Sequence, residues 1–277
     1  MGRRTHLVPW RRAGDATDRD VDADEVVRET GWVFNNEVGD GLTLAGFVAT
    51  GEREVRRYLR VLGLEGPHLA GGRMLELGCG IGRMTAAFTR RAGSVVAADV
   101  DPAFLERCRE TVARHGDPAR LRTARVVDGR RIDVPDADVD LAFSYITLQH
   151  CAPDVAIELA REAVRATRPG GTVALNFRGW TRADAVLLPL GALVRAAWRV
   201  PGLGARAARW RWATRLGWQA NRLGVRAVLD ALGARRGAPR VFVAMKRGAT
   251  VQDDPRVRVT SLRRLHRGHW WLVARIA

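Results

Sequence analysis

Residues 74–84, MLELGCGIGRM, constrain the fold of this 277-residue chain more than any other stretch. Met74, Leu75 and Leu77 make an apolar run of the length of a short buried strand. Gly78, Gly80 and Gly82 follow, and a helical pattern begins after them. Glycines at those points let the backbone turn sharply from strand to helix and let a ligand lie against bare main chain. Glu76 stands just before the turn, where an acid opposes a phosphate but suits a cationic ligand that carries an amino acid. The G-K-[ST] ending of a P-loop is absent, and Arg83 stands where the dinucleotide pattern would continue toward its last glycine.

Four further apolar runs follow. Residues 94–99 (SVVAAD) end in Asp99, and an acid at the tip of a second parallel strand can accept hydrogen bonds from both ribose hydroxyls. Asp101 and Pro102 then read as the N-cap and first position of a helix through Phe104, Leu105 and Cys108, with Gly116 as its C-cap. Of the two acids, Asp99 is favoured for the ribose, because Asp101 is engaged in capping. Residues 124–129 (ARVVDG) end in Asp128 and Gly129, which also read as a simple turn. Residues 139–144 lead through Ser144 and Tyr145 to His150, and a helix is expected from about Pro153 to Thr167. Arg168, Pro169, Gly170 and Gly171 punctuate the chain before a fifth run over 172–177. Strand and helix patterns in this alternation argue for a doubly wound parallel sheet.

The acid, the G-x-G-x-G loop, the acid ending the second strand and the R-P-G-G turn together resemble the class I S-adenosylmethionine-dependent methyltransferases, over about residues 45–180. The resemblance implies an α/β fold: a mostly parallel, seven-stranded, Rossmann-like sheet with an antiparallel last strand and a helical lid insertion. It implies S-adenosylmethionine as cofactor. Glu76, Gly78, Cys79, Gly80 and Gly82 would line it, Asp99 and Val100 would meet the ribose side, Asp128 and Gly129 the adenine edge, and Ser144 and Tyr145 the methyl end. The family pattern is expected to resume in a helix over 225–232, a strand over 241–245 and a last strand over 270–276. Trp32 and Phe34 are candidates to cap the pocket, and residues 50–54 read as a capped helix start abutting the cofactor.

His150 is the candidate general base, since an imidazole with an ordinary pKa of about 6.5 suits proton transfer from a hydroxyl. A structural role under the loop is its competing reading. Tyr145 and His68 are weaker candidates, and His266 and His269 read as surface residues of the tail. No metal is expected: Cys79, Cys108 and Cys151 are widely spaced and form no C-x-x-C pair. No run of apolar residues is long enough to span a bilayer, and the first residues lack the apolar core of a signal peptide, so a cytoplasmic location is the expectation. Residues 1–28 read as a flexible segment, and 29–277 as one domain with an insertion at 179–221.

Charge is the second strong signal. The formal net charge is +16, but residues 177–277 hold 20 arginines and one lysine against four aspartates, a surplus of 17. Five of the nine tryptophans, Trp180, Trp198, Trp210, Trp212 and Trp218, fall in the insertion, interleaved with arginines. Two short helices about a Pro-Gly hinge are expected there. They fit a lid, a grip on an anionic or aromatic substrate through Trp faces and Arg forks, or an element lying on an acidic surface, with membrane ahead of nucleic acid. The functional expectation is methyl transfer to a small molecule, oxygen favoured as acceptor. Methylation of a lipid or quinone at a membrane surface, and a binding protein without turnover, are the alternatives. Oligomeric state is not readable from the chain.

Overall fold

The computed structural model describes residues 21–34, 42–200, 211–217, 221–233, 240–243, 257–261 and 268–277. The strands are β1 (Arg73–Leu77), β2 (Ser94–Asp99), β3 (Leu121–Val127), β4 (Arg131–Ile132), β5 (Val139–Ser144), β6 (Thr167–Arg178), β7 (Arg240–Val243), β8 (Arg258–Ser261) and β9 (His269–Arg275). They form one sheet in the order β4-β3-β2-β1-β5-β6-β9-β7-β8. Strands β3, β2, β1, β5 and β6 are parallel neighbours, and β9 runs antiparallel between β6 and β7. This is the expected seven-stranded core with an antiparallel last strand. Short β4 and β8 extend its two edges.

The helices are α1 (Ala23–Phe34), α2 (Leu44–Leu62), α3 (Pro67–Ala70), α4 (Thr85–Thr89), α5 (Pro102–His115), α6 (Pro153–Ala166), α7 (Asp184–Ala197), α8 (Arg211–Gly217) and α9 (Val225–Leu232). Alternation along each strand splits the core into two layers. Leu75, Leu77, Val96 and Ala98 face α6 and α9. Met74, Val95, Leu141 and Phe143 face α2 and α4 with Trp271 of β9. Glu76 and Asp99 share the parity of Met74 and Val95, so both acids point to the α2 and α4 side.

Several expectations are corrected. Residues 50–54 are not a helix start. The start is Thr43, whose Oγ1 accepts from the Gly46 amide at 3.1 Å, and the helix runs unbroken through Gly51 to Leu62. Gly51 is needed for approach: a Cβ there would fall 2.1 Å from the Arg83 carbonyl oxygen. Gly116 is the C-cap of α5 as expected, in extended conformation, and its amide donates to the Val112 carbonyl at 2.8 Å. The R-P-G-G stretch lies within β6 as a bulge, for the β5 register jumps from Val139↔Thr167 to Leu141↔Thr172. Gly170, at φ +76°, donates to the Ile276 carbonyl at 2.9 Å and so ties the bulge to the end of β9.

Residues 23–28, assigned by composition to the flexible segment, are helical, and Ala23, Val26 and Val27 are buried. The insertion holds two helices, α7 and α8; its Pro-Gly hinge, with Trp210 and Trp218, lies outside the described residues. So do His266 and residues 244–245, and the side chains of Trp32, Phe34 and His68.

Candidate active site

The sheet order reverses direction between β1 and β5, so a crevice opens at their carboxyl ends, the usual binding place in an open α/β sheet. The glycine loop leaves β1 there. Gly78, Gly80 and Gly82 all have positive φ, of +82°, +53° and +91°. A Cβ on Gly82 would come within 3.1 Å of Cys108 backbone, so the loop also needs a bare position against α5. The amides of Gly78 and Cys79 both donate to the Ala98 carbonyl, at 2.7 and 3.1 Å, which fastens the loop to β2.

Two carboxyls stand beneath this loop. Glu76 is buried and its Oε2 accepts from the Thr85 hydroxyl at 2.7 Å. Burial pushes its pKa up to about 7, with Thr85 and Arg83 pulling the other way and Asp99 adding to the rise. Arg83 is held elsewhere, in an ion pair with Glu54 at 2.5 Å and a 3.2 Å hydrogen bond to Thr50 of α2. Asp99 accepts from the amides of Gly80 at 2.9 Å and Asp101 at 3.2 Å, and burial pushes it up to about 6. Asp101 caps α5 through Ala103, as expected. Val100, beside Asp99, is exposed. Cys79 and Cys108 are buried free thiols, and burial pushes Cys79 well above the usual thiol range.

Asp128 and Gly129 have φ of +51° and +69°, and the Arg130 amide donates to the Val127 carbonyl. That is a tight turn with left-handed backbone at both central residues, and it joins β3 to β4 through residues 128–130. Asp128 is exposed in it.

Across the crevice, the Ser144 hydroxyl donates to the Leu77 carbonyl at 3.0 Å and fastens β5 to β1. Tyr145 is hydrogen-bonded to Tyr58 at 3.0 Å and stacks on Trp271 with centroids 5.6 Å apart. Burial pushes its phenol well above the usual range. Ile146 has φ +56°, a strained conformation for a β-branched residue, and its amide donates to Asn176 Oδ1. His150 ends a 3₁₀ turn over Leu148–His150, half-exposed, with Nε2 3.2 Å from Gln149 Nε2. Asn221 straps this turn down by donating to the Leu148 and Cys151 carbonyls at 2.7 and 3.0 Å.

The structure therefore gathers Glu76, the three glycines, Cys79, Asp99, Ser144 and Tyr145 around one loop. Sequence reasoning missed Tyr58, Thr85, Thr147, Asn176 and Trp271. It also misplaced His269, which is half-buried with Nδ1 3.2 Å from Asn176 Oδ1 at the end of β6. Only Thr85 left a signal, a hydroxyl three residues past Gly82 in a run otherwise apolar. At the start of α7, buried Asp184 accepts from Arg222 at 2.5 Å, Thr181 at 2.7 and 2.8 Å, and Arg178 at 3.4 Å.

Residues 74–171 match the family profile for the methyltransferase domain. The malonyl-[acyl-carrier protein] O-methyltransferase of Serratia marcescens is 33% identical over 114 residues, 41% of this chain and 41% of that protein. The phosphoethanolamine N-methyltransferase 1 of Triticum aestivum is 30% identical over 107 residues, 39% of this chain and 21% of that protein. The chain thus spans well under half the length of the curated relatives it matches. A Pyrococcus horikoshii protein shares the fold, with TM-score 0.50 at 15% identity over 81% of this chain and 91% of that one. The matched stretch begins in β1 and ends in the bulge of β6, taking in the glycine loop and both buried acids, and over it the chain is similar to methyltransferase domains.

Proposed function

We propose that this protein transfers a methyl group from S-adenosylmethionine to a small-molecule acceptor, with oxygen the favoured acceptor atom. The observation that carries the reading is the pair of buried carboxyls, Glu76 and Asp99, beneath three glycines of positive φ at the switch point of the sheet. Burial biases both acids toward protonation. A ligand that brings an ammonium group and ribose hydroxyls restores their charge, which is the donor set this cofactor has.

Bound there, S-adenosylmethionine would supply a methyl on a sulfonium, with a neutral thioether as leaving group. The chain's part is to hold and align. Glu76 faces the amino group, Asp99 the ribose, and Asp128 and Gly129 the adenine edge. Cys79 and Val100 line the walls. Ser144 fixes the end of β5 and Tyr145 the methyl side. His150 takes the proton from a hydroxyl acceptor. The domain begins at α1, whose Ala23, Val26 and Val27 are buried, and α7 and α8 serve as its lid on the acceptor side.

His150→Ala tests the acceptor half of this reading. A general base contributes about 10²–10⁴-fold, so kcat falls by that order while cofactor affinity stays within about twofold. An unchanged kcat removes His150 from the chemistry. A second reading, methylation of a lipid or quinone at a membrane surface, is favoured by the exposed apolar side chains of α7.

A further inference from the structure

Ten large apolar side chains are exposed among the described residues, and seven of them fall between Trp180 and Trp212. Helix α7 explains the concentration. Its inner side packs on α8 as closely as backbone allows. A Cβ on Gly191 would fall 2.5 Å from the Leu216 carbonyl oxygen, and one on Gly217 would fall 2.5 Å from the Trp198 ring. Its outer side carries Val186, Leu190 and Leu193 at helical spacing, with Leu187 beside them. Val186 is 62% exposed and Leu193 67%. Trp180 precedes the helix at 62%, and Trp212 on α8 adds 61%.

The charge along this stretch of sequence has one sign. From Ala185 to Leu229 the sequence holds eight arginines and no acid. Arg182 and Arg199 are exposed at the two ends of α7. A second copy of the chain would set arginines against arginines with no carboxylate in this segment to answer them. A nucleic acid would meet the arginines and tryptophans but would leave Val186, Leu190 and Leu193 without an apolar partner. Aliphatic and Trp side chains with an exposed arginine at either end of α7 match the boundary between acyl chains and anionic headgroups.

We infer that α7, with Trp180 and Trp212, docks the protein on an anionic lipid bilayer. The contact is peripheral, as no described helix is long and apolar enough to cross a membrane. It lies next to the crevice: Asp184 at the foot of α7 is tied to Arg178 of β6 and to Arg222, whose neighbour Asn221 straps the His150 turn. The inference concerns where the protein sits and holds whether or not its acceptor is a lipid.

Co-sedimentation with vesicles tests it, without cofactor or turnover. The probes are phosphatidylcholine vesicles and the same vesicles with about 30% phosphatidylglycerol, at low salt. Wild-type protein is expected to pellet with the anionic vesicles only. The Val186→Ser/Leu193→Ser double variant is expected to partition at least about tenfold more weakly, since both side chains are already in water in the free protein. An unchanged melting temperature shows that the variant is folded. Wild-type protein that stays in the supernatant with anionic vesicles overturns the inference, as does pelleting that the double variant leaves undiminished. Self-association that the double variant abolishes, with no vesicle binding, assigns the face to a second copy and overturns it too.

Discussion

Thr147 closes directly on Gly78. Its Oγ1 donates to the Gly78 carbonyl at 3.4 Å, and a Cβ built on Gly78 would lie 2.1 Å from that oxygen. The loop after β5 and the glycine loop after β1 thus meet at a point where only hydrogen fits. Gly78→Ala combines this clash with a φ of +82°, and is expected to cost about 2–4 kcal/mol of stability. Thr147→Gly in the same chain removes the clash but not the backbone strain, so the double variant recovers part of the loss. Denaturant unfolding of the three variants checks this; full recovery would mean the backbone strain is negligible.

The buried position of Glu76 gives a stability signature in pH. Its folded pKa, about 7, lies above its ordinary value of 4.5. The contribution of the protonated acid is therefore fully present below about 4.5 and is lost as pH rises through 7. Above that, ionised Glu76 opposes folding by on the order of 3 kcal/mol. Glu76→Gln does not titrate. The ligand-free variant is expected to melt above wild type at pH 8 and close to it near pH 5, while binding the cofactor more weakly. Thermal melts at the two pH values check the sign, and a variant less stable at pH 8 would contradict it.

Asp99 and Asp101 separate binding from capping. Asp99→Ala removes a charged acceptor and is expected to weaken cofactor binding by roughly 1.5–3 kcal/mol. Asp101→Ala removes the cap on the Ala103 amide and costs about 1 kcal/mol of stability, with little change in binding. Calorimetry and denaturation on both variants decide the matter. Reversed effects would move the ribose contact to Asp101.

Much of the parallel half was legible because its signals are local. The run 74–77, the acid at 99 and the Asp101–Pro102 cap each declare themselves within a few residues. The antiparallel end was readable in outline, since β9 is a continuous apolar run whose residues Trp270, Trp271, Leu272, Val273 and Ala274 are all buried. What stayed hidden depends on long-range packing. Tyr58 meets Tyr145 and Trp271 only when α2, β5 and β9 are assembled. His269 reads as one more polar residue of a basic tail until β9 pairs with β6 and sets it beside Asn176. Residues 50–54 resemble a helix start because Thr and Gly stand together, yet Gly51 serves close approach to Arg83 inside a longer helix. Asp128 shows the reverse case, where the local turn chemistry was plain and the adenine contact rests on the family resemblance.

The most direct test is titration calorimetry of the wild-type chain with S-adenosylhomocysteine, at pH 8 and again near pH 5.5. In the proposed function Glu76 and Asp99 hold the cofactor as carboxylates, and their pKa values are pushed up to about 7 and about 6. Affinity is therefore expected to be in the micromolar range at pH 8 and to fall by about tenfold or more near pH 5.5, with proton release on binding at neutral pH. No binding at millimolar ligand at pH 8, or an affinity that does not weaken on acidification, would contradict the account.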